Sequence, residues 1–134
     1  MRFMLLVRST EESEAGGVPD KELFTAMAKY NEDLAKAGVL LALEGLHPSS
    51  KGARVKFSRS KQTVVDGPFT ETKELIAGFW LIEVKSRGEA IEWVKRCPAP
   101  FKGEAEIEVR QVFGPDDYAE LIPNEPSPPI GSQT

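Results

Sequence analysis

Residues 20–46 read D-K-E-L-F-T-A-M-A-K-Y-N-E-D-L-A-K-A-G-V-L-L-A-L-E-G-L, and two periods meet inside this one stretch. Leu23, Met27, Tyr30, Leu34 and Ala37 recur at steps of four and three, the spacing of a single helical stripe. Asp20 stands where an N-cap is needed and Gly38 where a helix closes. The pattern predicts a helix over roughly 20–37. The nearly unbroken apolar run V-L-L-A-L-E-G-L (39–46) then predicts a strand, and its composition places that strand centrally in a sheet.

Upstream, residues 2–8 (R-F-M-L-L-V-R) alternate: Phe3, Leu5 and Val7 face one way, Arg2, Met4, Leu6 and Arg8 the other. The polar stretch S-T-E-E-S-E-A-G-G-V-P between this strand and the helix reads as a mobile loop. Downstream, A-R-V-K-F-S (53–58) and Q-T-V-V-D (62–66), joined by R-S-K, carry the signal of a β-hairpin. After D-G-P-F, the segment T-E-T-K-E allows one helical turn. A-G-F-W-L-I-E-V-K (77–85) is a further strand. Ser86 and Glu89 open a second helix with a capping-box pattern, and Pro98 stops it. Ala105, Ile107 and Val109 alternate with Glu106, Glu108 and Arg110 in a last strand.

The order is β-α-β-(hairpin)-β-α-β. This is an α+β plan, a ferredoxin-like split βαβ with an inserted hairpin. Two helices cover only one face of such a sheet. The other face carries Arg2, Met4, Leu6, Arg8, Glu106, Glu108 and Arg110, too apolar for a solvated surface and too charged for a core. A sheet-to-sheet homodimer around a polar pocket is the expected use of that face. The domain is expected over residues 1–118, with 119–134 a Pro-rich flexible tail.

Bulk properties narrow the function. The 134 residues carry a formal charge of −4, which argues against nucleic acid as the main partner. No apolar run reaches membrane-spanning length, so no membrane partner is expected. The first apolar run ends at Arg8, too early for a signal-peptide core, and the one cysteine, Cys97, has no intrachain partner. Both fit a cytoplasmic setting. Charge is unevenly spread: five cations (Lys51, Arg54, Lys56, Arg59, Lys61) lie between Glu44 and Asp66 without an acid, while seven acids and one base lie from Glu104 onward. Two solvated surfaces explain this, and so does a complementary contact between subunits.

The segments E-G-L-H-P-S-S (44–50), V-D-G-P-F-T-E-T-K-E (65–74), A-G-F-W-L-I-E-V (77–84) and G-E-A-E-I-E-V-R-Q-V (103–112) resemble, in order and spacing, the DGPF branch of the YCII-related proteins. The resemblance runs from Met1 to about Tyr118. It implies a ferredoxin-like homodimer similar to the dimeric α/β barrels, in a stress or signalling context. It also implies an active-site His–Asp pair proposed for the wider group, some of whose members are lyase-like dehydrohalogenases. The matching residues here are His47 and Asp66.

Read as chemistry, Asp66 ends a strand where a tight exit aims its carboxylate outward, as a general acid or base would require. The same exit suits an Asx-turn, in which a backbone amide two or three residues on, that of residue 69, occupies the carboxylate. His47, the one histidine, is either a proton carrier near neutral pH or an exposed loop residue. Lys73 and Arg110 are candidates to hold an anionic ligand. Glu44, a carboxylate in an apolar strand, needs a partner or a cavity, and Arg8 or Arg110 could supply the former. Of Phe79 and Trp80, one packs in the core and the other lines the open face; Trp80 is taken as the candidate ligand contact. Cys97 falls on an apolar helix stripe, where a thiol is a buried hydrophobe. No spacing for a protein-built metal site and no nucleotide-binding glycine motif is present, so neither metal nor cofactor is expected. Three functions remain in view: a small-molecule-binding homodimer, a lyase or isomerase using Asp66 with His47, and a purely structural dimerisation module.

Overall fold

The computed structural model describes residues 1–121. Its elements are β1 (Arg2–Arg8), α1 (Glu11–Glu14), α2 (Lys21–Lys36), β2 (Leu40–Gly45), β3 (Ala53–Ser58), β4 (Lys61–Asp66), β5 (Ile76–Glu83), α3 (Arg87–Lys95) and β6 (Ile107–Gln111). Short 3-10 turns stand at Ser49–Lys51, Thr72–Glu74 and Pro115–Tyr118. The chain is mixed α+β, with its strands in two antiparallel sheets. The four-stranded sheet has the order β2-β5-β1-β6, and β3 and β4 form a ribbon of their own. The tail expected over 119–134 falls, from residue 122 on, outside the described residues.

α2 begins where a carboxylate can serve free amides: Asp20 accepts the Leu23 N–H at 2.8 Å. It ends at Gly38, whose φ of 74° suits a residue without a Cβ. Tyr30 and Leu34 of its stripe are buried, and with Ala90 of α3 they cover Phe3, Leu5 and Val7 of β1 and Trp80 and Ile82 of β5. Fully burying side chains of this size stabilises by about 1.5–3 kcal/mol each, so this layer is the main source of stability. α3 is capped by Ser86, which accepts the Glu89 N–H at 3.1 Å, while the Glu89 carboxylate reaches back to the Lys85 N–H at 2.9 Å. The reciprocal bond therefore falls one residue before the cap.

Two expectations need correction. β2 is not central: it is an edge strand, paired on one side with β5. Its apolar run misleads because Leu41 and Leu43 stay 48% and 37% exposed. The stretch after β1 is not all loop. Thr10 caps a single turn, accepting the Ser13 N–H at 3.2 Å, while Ser13 Oγ accepts the Thr10 N–H at 2.9 Å.

Among the described residues no helix lies over the second face of the sheet. Register puts Met4 beside Arg110 and Leu81, and Leu6 beside Glu108 and Phe79, with Glu44 next to Phe79 on the edge. Phe79, not Trp80, belongs to this open face.

Candidate functional site

The D-G-P-F turn is held by a chain of hydrogen bonds through two distant segments. The Phe69 N–H donates to Ser49 Oγ at 2.9 Å, and the Ser49 hydroxyl donates in turn to Glu14 Oε1. The Ser49 N–H donates to the other oxygen of Glu14 at 2.9 Å. One carboxylate of α1 thus fixes the loop after β2, and that loop fixes the exit of β4. Gly67 lies so close to this loop that a Cβ there would meet the Ser49 carbonyl oxygen at 1.8 Å, which is why only glycine fits. The Gly67–Pro68 peptide is cis. The guanidinium of Arg54 sits 3.8 Å from the centroid of the Phe69 ring. Gly67 and Phe69 of the motif therefore each have a structural task.

Asp66 itself is exposed, and among the described residues no hydrogen bond or ion pair reaches its carboxylate. The Asx-turn is not formed, because the amide it needs, that of Phe69, is taken by Ser49. His47 is exposed on the neighbouring loop. The two loops touch through the backbone, with the Gly67 N–H donating to the Gly52 carbonyl at 3.0 Å, but His47 and Asp66 share no hydrogen bond. Lys73 is exposed in the Thr72–Glu74 turn and pairs with no acid among the described residues.

The second cluster lies on the open face. Glu108 accepts from Arg8 at 2.9 Å through one oxygen and from Arg110 at 3.1 Å through the other. Glu44 joins neither arginine; its carboxylate stands exposed on the β2 edge. A concavity of about 470 Å³ lies against Arg8, Glu106, Ile107 and Glu108. Trp80 is remote from it, 7% exposed under α2, edge-on to Tyr30 at 5.5 Å and donating to Asn31 Oδ1 at 2.7 Å. A larger groove of about 700 Å³ opens on the helical side, lined by Val18, Leu23, Met27, Pro98, Phe101 and others. None of the candidate residues lines that groove. Among the described residues no three His, Cys, Asp or Glu side chains gather as a metal site, and no helix is long and apolar enough to cross a membrane.

Glu14, Ser49 and Glu108 were not singled out as site residues from the sequence, and Arg8 was named there only as a possible partner of Glu44. The T-E-E-S capping pattern could have flagged the turn that carries Glu14. Nothing local marks Ser49, whose role comes from the approach of another loop.

The fold and its two polar clusters define a mixed α+β protein with an antiparallel sheet, one covered face and one open charged face. Residues 1–113 match the family of the YCII-related domain, and the chain belongs to that family. It is also similar to an uncharacterized protein, R00369, of Rhizobium meliloti (strain 1021), at 28% identity over 100 residues, which cover 73% of this chain and 81% of that protein.

Proposed function

We propose that the protein is a cytoplasmic homodimer of the DGPF branch, packed sheet to sheet on a ferredoxin-like split βαβ plan in the manner of a dimeric α/β barrel, and that it binds a small anionic molecule in the cleft between the open faces. The observation that carries this reading is the open face itself. Met4, Leu6 and Phe79 supply half-buried apolar area, and Arg8 and Arg110 converge on a single carboxylate beside a concavity. Two arginines on one acid leave donor capacity for a carboxylate or phosphate.

The test is a thermal-shift screen of small carboxylates and phosphates, joined to light scattering of the free protein. Binding that disappears in Arg8→Met supports the reading. A monomer in light scattering, or a ligand that stabilises wild type and Arg8→Met alike, removes it.

A second reading, acid/base catalysis at Asp66, is favoured by one observation: the carboxylate has no partner among the described residues. His47 enters that reading as a residue on the adjacent loop, without contact to Asp66 in one chain.

A further inference from the structure

The apolar stripe of α2 is only partly spent on the core. Tyr30 and Leu34 are buried, but Leu23 and Met27, two turns and one turn before Tyr30, stay half-buried. They line the groove of about 700 Å³ on the helical side. A second wall is the segment after α3, where Pro98, Pro100 and the half-buried Phe101 add apolar surface. The third wall is the chain between α1 and α2. There the Gly17 N–H donates to the Glu12 carbonyl at 3.2 Å. A Cβ on Gly17 would crowd that oxygen at 3.1 Å and the Glu12 Cγ at 3.3 Å, so glycine is what lets Glu12 lie tight against this wall. A groove of this volume, with an apolar bed and a few charged groups, has the size and make-up of a small-molecule site.

The charges select the ligand. Glu12, Asp20 and Glu22 line the groove against a single cation, Lys102. Asp20 is engaged as the cap of α2. Glu12 and Glu22 are exposed, and among the described residues no hydrogen bond or ion pair reaches either carboxylate. The partial positive charge of the α2 N-terminus opposes an incoming cation, but it amounts to about half an elementary charge, less than the two carboxylates that stand at that end. We infer that the groove binds a hydrophobic amine, its aromatic or aliphatic body against Leu23, Met27 and Phe101 and its ammonium at Glu12 and Glu22. Complementary charge rather than apolar area alone sets the class of ligand. The groove lies on the helical side of the sheet and prefers the charge opposite to that proposed for the open face. It does not depend on the homodimer.

The experiment follows nitrogen-15-labelled full-length protein by NMR at low salt while phenylpropylamine, phenylpropanol or phenylpropionate is added. The three share one apolar body and differ in charge. Expected are shift changes at the amides of residues 17–27 and 98–102, with the amine bound about tenfold more tightly than the propionate and the alcohol between them. The double variant Glu12→Gln, Glu22→Gln leaves Asp20 and Lys102 as one charge of each sign. It should fold as the wild type does and bring the three affinities to within about twofold of one another. Phe101→Ala should weaken all three. The site is overturned if the amine does not bind, if wild type takes amine and propionate equally, or if the double variant keeps the wild-type preference. Amine shifts confined to residues 106–108, beside the acids of the other concavity, overturn it as well.

Discussion

The Phe69 N–H donates to Ser49 Oγ, 2.9 Å away and twenty residues back in the chain, and Ser49 passes the bond on to Glu14. Three segments that share no strand pairing are joined through one hydroxyl. Ser49→Ala removes the acceptor of the Phe69 amide and one donor to the carboxylate together. Leaving such part-buried groups unpaired costs about 1–3 kcal/mol. The urea midpoint of Ser49→Ala should fall accordingly, with the slope of the transition unchanged. Glu14→Gln should cost less, since an amide oxygen still accepts.

Gly67→Ala gives a sharper outcome. The added methyl would overlap the Ser49 carbonyl oxygen, and that atom is backbone, so neither side can move without opening the clamp. A loss beyond about 2 kcal/mol is expected, larger than for Ser49→Ala. If Gly67→Ala melts like the wild type, the packing of the two loops described above is wrong.

Asp66 behaves in the opposite way. Its carboxylate has no partner among the described residues, so Asp66→Asn should change stability by no more than about 0.5 kcal/mol. A catalytic or ligand-binding carboxylate would show itself only in binding or turnover. Thermal melts of Asp66→Asn with and without a screened ligand separate the two: an unchanged ligand shift takes Asp66 out of the site.

The order of the strands and of the two longer helices was legible in the sequence because periods of two and 3.6 alternate cleanly, with caps at Asp20 and Ser86, whereas the single turn of α1 was read as loop. What failed was the inference from apolar composition to position. V-L-L-A-L reads as a central strand, yet β2 is an edge whose leucines stay exposed. The assignment between Phe79 and Trp80 was also beyond reach, since alternation fixes that they differ in face but not which face α2 covers. Of the D-G-P-F motif, the turn was readable and the partners were not. Ser49 and Glu14 are distant in sequence, and side-chain bonds across such gaps leave no local pattern.

Cys97 gives a prediction in pH. Burial pushes its thiol from an ordinary 9.0 up to about 12, and the thiol lies 3.2 Å from the Pro98 carbonyl, to which it donates. The folded-state value is raised, so the stability tied to the protonated thiol is fully present below pH 9.0 and is lost as pH climbs toward about 12. Tyr30 acts in the same direction, raised by burial, with its hydroxyl donating to the Trp93 carbonyl at 2.7 Å. Native protein at pH 8 should therefore react slowly with a disulfide reagent such as Ellman's and release one full equivalent on denaturation. Fast native labelling would place the thiol at the surface.

Glu108 offers the most direct handle on the open face. It holds Arg8 and Arg110 at once, and all three side chains keep roughly a third or more of their area in solvent. An ion pair so exposed contributes at most about 1 kcal/mol, so Glu108→Gln should melt close to wild type. The same change removes the carboxylate that competes with an incoming anion for both guanidinium groups. Affinity for inorganic phosphate or a screened carboxylate should rise in Glu108→Gln and fall in Arg8→Met, each read by calorimetric titration at low salt, where surface electrostatics are least screened. Equal affinities across wild type and both variants would sink the assignment of this cluster to anion binding, whatever the oligomeric state.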